Sequence, residues 1–470
     1  MLRKFIKRHE YKIVCGTILI GVLLSFVLGV TNGQIKKTHF SDYRTDAEIY
    51  NLMALSLIDT GSVYDSNGMY YGSLRAPGYP YFLSFAYLIY RSPISVWILQ
   101  AALFALSVFL VWEIAKHFFR ESSALLPPLL FSLSWFIDAF VIRLNSDFIG
   151  MFWVLLGVWS LLAYVSRERY RIASRFLSSH TLLALSAASF ALAALTRPVM
   201  LYLVIFLFIY VAATSWRHAV LFVVLFLAFV GPPTALNYYL FGVPVLSDSG
   251  VVIAMRGRVL AVPEERLRAF MIASVFGDLV ADQSLPGYKD NPEPYPQITA
   301  VAKERTVMRD TGVPFREMNS HFLKEGLDLF RKHPGKFLVT GIFNFIHMHN
   351  PPNQDGVLMT HFLVERETMS VTLRIVMNMM IRVFWFSLVT FVVWGIVVNI
   401  RDRNKLFLVV PLCVIIFYNV FMHAFFSHAE FRFILPAIPF YVVFFSAGVL
   451  DIAKHIATRL NPSLVSRFST

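Results

Sequence analysis

Residues 41–80 read SDYRTDAEIYNLMALSLIDTGSVYDSNGMYYGSLRAPGYP. This polar, acidic stretch follows directly on a long apolar run, residues 13–31. It opens with Asp42, Asp46 and Glu48 and closes with Arg75 in Arg-Ala-Pro-Gly-Tyr-Pro. A purely structural loop has little reason to hold a carboxylate cluster and a turn-locked arginine against a bilayer surface. An enzyme that handles an anionic lipid and a hydroxyl nucleophile has a reason for both.

What flanks the stretch sets the fold class. The chain has 470 residues, 57% hydrophobic and only 15% charged, where a soluble domain carries about a quarter charged residues. Apolar runs recur at 13–31, 94–115, 123–142, 148–165, 180–195, 198–214, 218–236, 370–398, 406–424 and 433–452. This predicts an all-α polytopic membrane protein with about ten transmembrane helices. The period-2 alternation of an outer-membrane barrel is absent. Cys15 and Cys413 both fall inside apolar runs, which argues against a disulfide framework or a zinc cysteine cluster. The first run is too long for a signal-peptide core and no cleavage pattern follows it, so it reads as a retained span.

The formal net charge of +13 would suggest nucleic acid in a soluble protein. Here the basic residues sit in short loops, and the positive-inside rule accounts for them without nucleic acid. With the N-terminus inside, loops 1–12, 116–122, 166–179, 215–217, 399–405 and the tail from 453 are all basic. Both termini are then cytoplasmic, and the two long segments, 32–93 and 237–369, lie outside. Three regions follow: an N-terminal membrane module 1–236, an outer subdomain 237–369, and C-terminal helices with a tail, 370–470. In the first long segment, residues 46–57 read as an interfacial helix stopped by Gly61. Residues 79–90 are too few to span. No Asn-x-Ser/Thr acceptor with a permitted middle residue occurs, which tilts the expected location to a bacterial inner (plasma) membrane.

Several residues could carry chemistry. Asp46, with Glu48 beside it, could act as a general base for an acceptor hydroxyl. It could equally cap a helix N-terminus. Arg75 is held by the Pro77-Gly78 turn, before Tyr79 and Pro80, where a phosphate headgroup would lie. An interfacial arginine that snorkels to lipid would look the same. Asp147 opens the fourth run, with Arg143 one turn earlier as a possible partner. Arg197 stands between two apolar helices, where a charge must be paired or reach water. His423, His428, Glu430 and Arg432 cluster in HAFFSHAEFRFILPAIP at the outer end of the last two runs. The spacing of His423 and His428 matches no strong metal-ligand motif. His347 and His349 read as part of an aromatic interfacial patch. No cofactor is expected, and a divalent metal is disfavoured.

Taken together, these motifs resemble the GT-C superfamily of membrane glycosyltransferases. The likeness is to the branch of protein O-mannosyltransferases and the lipid A aminoarabinose transferase. It rests on Asp46-Ala47-Glu48-Ile49-Tyr50, Arg75-Ala76-Pro77-Gly78-Tyr79-Pro80, Leu195-Thr196-Arg197-Pro198, the run 237–245, and Glu430-Phe431-Arg432-Phe433 leading to Pro436 and Pro439. One departure is Ala47 at a position where that branch carries a second acid. The resemblance implies a polyprenyl-phosphate-sugar donor and an acceptor hydroxyl on a glycan, lipid or protein at the outer face. It implies Asp46 as base and Arg75, Arg197 and Arg432 on the lipid phosphate. Tyr79, Arg143, Asp147, Glu48, His428 and Glu430 become supporting polar groups, and the sugar carbon is inverted.

A polytopic transporter or flippase is the main rival. Such proteins often show internal repeats and mid-membrane polar sites. No repeat is visible here, and the polar candidates gather at one face. An O-antigen polymerase or ligase would place its key arginines and histidine in a late outer loop rather than at Asp46.

Overall fold

The computed structural model describes residues 2–31, 46–63, 75–119, 121–166, 177–277, 280–281, 296–349, 370–427 and 430–460. Asp42, His428 and residues 351–369 lie outside them. Every described element is helical. In chain order they are α1 (Leu2–Thr31), α2 (Asp46–Thr60), α3 (Gly78–Ile89), α4 (Pro93–Phe118), α5 (Leu126–Ser132), α6 (Trp135–Val141), α7 (Ser146–Val165), α8 (Ser179–Thr196) and α9 (Leu203–Ala212). There follow α10 (Trp216–Phe241), α11 (Ser249–Leu260), α12 (Glu264–Phe276), α13 (Pro296–Asp310), α14 (Phe315–Lys332), α15 (Pro334–His349), α16 (Val371–Arg401), α17 (Arg403–Phe426) and α18 (Ile438–Leu460).

Eight of these helices are long and apolar enough to cross a membrane: α1, α4, α7, α8, α10, α16, α17 and the segment ending in α18. The chain is a multi-pass membrane protein. The other two apolar runs fall short as single helices. The run at 123–142 divides into a 3₁₀ turn (Glu121–Leu125), α5 and α6. Pro127 and Pro128 open α5, and the Ser132-Leu133-Ser134 step ends it. Its pieces still follow α1 in parallel, with Gly21 against Ser132 and Ser25 against Asp138. The run at 198–214 begins with a 3₁₀ turn (Pro198–Tyr202), because Pro198 cannot continue α8. It then descends along α17. The Tyr418 hydroxyl donates to the Val199 carbonyl, and the Tyr210 hydroxyl donates to the Phe407 carbonyl at 3.1 Å.

Local signals set the helix ends. Ser92, Ser178, Ser370 and Asp402 each accept a backbone N–H of the helix they precede. α10 ends at Gly242, whose φ of 73° is left-handed. Gly61, also at φ 73°, ends α2 as its sequence predicts, and its N–H reaches the Leu57 carbonyl at 3.0 Å. Pro77 is the N-cap of α3, and Pro80 sits inside the first turn, where its missing N–H has no helical partner to lose.

One large core runs through α2 to α10 and α15 to α18. At the α16–α18 crossing, Gly395 and Gly448 let the two backbones touch. Trp394 then donates to Asp451 at 3.0 Å. Leu23, Val27, Val383 and Phe384 stay exposed on the outside of the bundle, as lipid-facing side chains should. α2 and α3 lie together at one end of the bundle, the end also reached by α11 to α15. We call this the long-loop face. There α11, α13 and α14 form a small unit around Val251, Ala254, Val301, Met318 and Phe322. Gly257 and Gly326 allow close approach within it, and Arg258 ties Glu325 at 2.8 Å and Glu304 at 2.5 Å.

Candidate functional site

The site forms where α2 begins. Asp46 is the first residue of α2 and Arg75 lies three residues before α3. The two helices pack side by side. The Ser84 hydroxyl donates to the Ala54 carbonyl at 3.1 Å and the Tyr87 hydroxyl donates to Asn51. This pairing brings Arg75 Nη2 to Asp46 Oδ1 at 2.8 Å. Arg432 Nη2 approaches the other carboxylate oxygen at 3.9 Å, and Arg432 Nε lies 2.5 Å from Glu430 Oε2. Asp46 and Arg75 keep about a third of their side-chain surface open, at 35% and 37%. The carboxylate is thus flanked by two guanidinium groups and still faces solvent. Arg75 Nε is buried and meets no acceptor among the described residues.

Two turns hold this arrangement. Gly78 presses onto the end of α8, where an added Cβ would lie 2.6 Å from the Leu195 carbonyl carbon and 2.7 Å from the Thr196 nitrogen. The Arg-Ala-Pro-Gly and Leu-Thr-Arg-Pro turns are therefore one packed unit. The second turn is a 3₁₀ segment, Phe431–Ala437, pinned by Asn419, whose amide donates to the Phe433 carbonyl at 2.7 Å. The Phe433 ring stacks on His423 at 4.5 Å and lies under both Arg197 (5.0 Å) and Arg432 (5.3 Å). One aromatic ring thereby contacts two cations.

Arg197 differs from the expectation of a phosphate ligand. Its guanidinium is buried in an ion pair with Asp147, and their side chains are only 8% and 3% exposed. Gly150, one turn after Asp147, makes the pair possible, since a Cβ there would meet Arg197 Cδ at 2.9 Å. A charge this deep is tolerable only with such a partner. Arg143 is accordingly not the hydrogen-bonding partner of Asp147. Its guanidinium lies over Phe140 at 5.2 Å, and Gln100 donates to its carbonyl at 3.1 Å. Burial lowers the Arg143 pKa, the neighbouring Arg432 adds to this, and Asp147 opposes it.

Tyr79 lies beneath the site rather than in it. It is fully buried, donates to Gln100 at 3.3 Å, and meets Tyr50 edge-on at 5.1 Å. Tyr50 in turn approaches the Ser146 hydroxyl at 3.4 Å, and burial raises its pKa. Glu48, two residues after Asp46, points away from it around the helix. No group of three metal-ligating side chains converges among the described residues. On α15, His347 is half-buried and His349 is buried. The His349 Nδ1 contacts the Phe345 carbonyl at 2.7 Å and its Nε2 meets the Tyr441 hydroxyl at 2.9 Å.

Two charged residues escaped the sequence reading. Asp248 caps α11 and Arg305 lies on α13, with their charged groups 3.5 Å apart. Both lie within electrostatic reach of Arg75. The only local signal was Ser247-Asp248-Ser249-Gly250, an ordinary helix cap. Nothing in it announces a neighbour about 170 residues earlier in the chain.

No family model and no curated protein matches the chain. Among solved structures it is similar to the archaeal oligosaccharyltransferase AglB from Archaeoglobus fulgidus in complex with an inhibitory peptide and a dolichol-phosphate. The identity is 13%, the TM-score 0.46, and the match covers 97% of this chain and 52% of that one. The apo form of the Archaeoglobus fulgidus oligosaccharyltransferase gives 14% identity and a TM-score of 0.46, over 96% and 52% of the two chains. The form tethered with an acceptor peptide containing the NVT sequon gives 10% and 0.42, over 98% and 52%. The chain spans about half the length of these solved proteins.

Proposed function

We propose that this protein is a membrane glycosyltransferase. It moves a sugar from a polyprenyl-phosphate donor to an acceptor hydroxyl at the long-loop face. The observation that carries this reading is the partly open Asp46 carboxylate set between Arg75 and Arg432. A transfer from a sugar phosphate needs both parts of that arrangement. The base takes the hydroxyl proton, and the cations receive the negative charge that develops on the departing phosphate.

In this reading the acceptor oxygen attacks the anomeric carbon as its proton passes to Asp46. The bond from that carbon to the phosphate oxygen breaks, and the lipid phosphate leaves with the electron pair. Arg75 and Arg432 hold it. Displacement in one step inverts the sugar carbon. Arg197 serves differently from a direct ligand: neutralised by Asp147, it props Phe433 and so the ring under Arg432. Arg143 adds positive potential, and Glu430 aligns Arg432. A bacterial plasma membrane is the proposed setting, and the basic loops support an orientation with the long-loop face outward.

The decisive assay uses purified protein in lipid nanodiscs with a panel of labelled polyprenyl-phosphate pentoses and hexoses. Release of polyprenyl phosphate together with a glycosylated product is the expected result. The transporter reading draws on the buried Asp138 of the divided α5–α6 segment, which accepts from Ser25 at 3.1 Å. Movement of the sugar lipid across a vesicle membrane with no covalent product would replace the transferase reading with that one.

A further inference from the structure

We propose that α15 and the end of α14 form a membrane-surface element that binds anionic phospholipid. The uncovered side of α15 sinks into the lipid leaflet of the long-loop face. Lys324 and Lys332 of α14 meet the phosphates of that leaflet.

The sequence of α15 sets this up. Residues 337–346 read FLVTGIFNFI, without a charged side chain. Thr340, Gly341, Asn344 and Met348 turn inward and are buried. Leu338, Ile342 and Phe345 share the other side of the helix and stay 56%, 48% and 41% exposed. The pattern begins on α14, where Leu323 and Leu327 are exposed one turn apart. Lys324 and Arg331, two turns apart, stand along the edge of that stripe. A contiguous apolar surface rimmed by cations marks an interaction site, which scattered surface leucines do not.

Position in the bundle identifies the cover as lipid. α17 is long and apolar enough to cross the membrane, and after Lys405 its residues 406–426 include no Lys, Arg, Asp or Glu. That run is about 30 Å of helix, which matches a hydrocarbon core of about 30 Å. Phe425 and Phe426 therefore stand at the headgroup boundary. α15 is fastened at this level. Phe337 meets Phe425 at 5.7 Å and Phe426 at 5.8 Å. Asn344 donates to the Ala424 carbonyl at 2.8 Å, and Gly341 leaves no room for a Cβ against the Phe425 ring. Phe330 meets Phe337 at 4.8 Å and brings the end of α14 to the same depth. One and two turns earlier on α17, Phe421 and Phe417 are exposed on the side that faces lipid. The open side of α15 thus continues the lipid-facing surface of a span.

The charges at the α14–α15 turn select the kind of lipid. Arg258 holds Glu325 at 2.8 Å, and Asp328 lies 3.4 Å from Arg331. Lys336 donates to the Val262 carbonyl at 3.2 Å. Lys324 and Lys332 are both exposed and have no carboxylate partner among the described residues. Two unpaired ammonium groups beside an inserted apolar face complement a layer of anionic phosphates.

The test uses full-length protein in nanodiscs. Leu338→Cys, Ile342→Cys and Phe345→Cys, each in a Cys15→Ala, Cys413→Ala background that keeps the wild-type melting temperature, carry an environment-sensitive fluorophore. Asp310→Cys, on an exposed end of α13, is the aqueous control. At the three α15 positions, strong quenching by a nitroxide on the lipid acyl chain and weak quenching by iodide are expected, with the reverse at residue 310. Quenching by iodide alone places α15 in water and overturns the proposal. Protection from both quenchers means that a protein surface covers α15, and this overturns it too. Should the cysteine-free background melt early, a photo-crosslinking amino acid at the same positions, read as attachment to lipid, replaces the label.

The second arm compares nitroxide phosphatidylglycerol with nitroxide phosphatidylcholine, at equal mole fraction, as quenchers of the label at residue 338. The anionic lipid should be enriched about fivefold, the scale of one lysine at a charged membrane surface. Lys324→Gln with Lys332→Gln should remove that preference and leave acyl-chain quenching in place. Equal quenching by the two lipids, or a preference that survives loss of both lysines, overturns the anionic-lipid assignment.

Discussion

Arg75 Nη2 donates to Asp46 Oδ1 at 2.8 Å, while Arg75 Nε is buried without an acceptor among the described residues. A guanidinium with five N–H donors that spends one on a carboxylate has others left for a phosphate. In the proposed reaction the base and the cation are therefore neighbours before any substrate arrives. Replacing Arg75 with Gln should weaken polyprenyl-phosphate binding by about tenfold or more, the usual scale for a lost charge-assisted bond. Since both side chains are partly exposed, the variant should fold. Binding in nanodiscs, with a melting curve as control, checks this.

The Asp147–Arg197 pair should behave in the opposite way. Both groups are almost fully buried, so Asp147→Ala leaves an uncompensated charge inside the bundle. The expected loss is about 3–5 kcal/mol of stability, seen as a large fall in melting temperature in detergent. Asp46→Ala should leave the melting temperature nearly unchanged, because exposed pairs contribute little.

Gly78→Ala should be more damaging than Gly150→Ala. At Gly78 the added methyl meets the backbone of Leu195 and Thr196 at 2.6–2.7 Å, and backbone cannot step aside. At Gly150 it meets the aliphatic part of the Arg197 side chain, at 2.9 Å and 3.1 Å, which can shift at the cost of the buried pair. Melting temperature and donor affinity together measure the difference. Loss of both is expected in Gly78→Ala.

Which parts of this arrangement were legible follows from how local each signal is. Gly61 stopping α2, the Arg-Ala-Pro-Gly turn and the kink at Pro198 are carried by adjacent residues, and each stands where the sequence places it. The division of residues 123–142 is carried by Pro127, Pro128 and a Ser-Leu-Ser step, all within an apolar composition that masks them. The pairing of Asp147 with Arg197 depends on Gly150 being small enough to let an arginine pass, which only the folded packing of α7 on α8 reveals. Asp248 and Arg305 are harder still. The unit that carries them meets α2 through Phe315, a tertiary contact with no periodicity behind it.

Acidification should destabilise the protein through α15. Burial lowers the pKa of both His347 and His349 to about 4, from an unfolded value of 6.5. Arg382 adds to the shift of His347, while Glu430 opposes it. Below pH 6.5 the unfolded chain takes up protons that the folded histidines refuse. The stability they contribute is complete above that pH and is lost as pH falls from 6.5 towards 4. Each histidine accounts for about 3 kcal/mol across that window. Melting temperature against pH should fall over this range, and His349→Gln should flatten the fall.

The most direct measurement is the turnover of Asp46→Asn on a polyprenyl-phosphate sugar that wild type consumes, in protein shown by its melting curve to be folded. Asparagine keeps the shape of the side chain and a carbonyl acceptor for Arg75 but cannot take the acceptor's proton. A fall in rate of about 10²- to 10⁴-fold with donor binding retained is expected for a lost general base. A folded Asp46→Asn protein that transfers sugar at the wild-type rate would show that Asp46 is not the base.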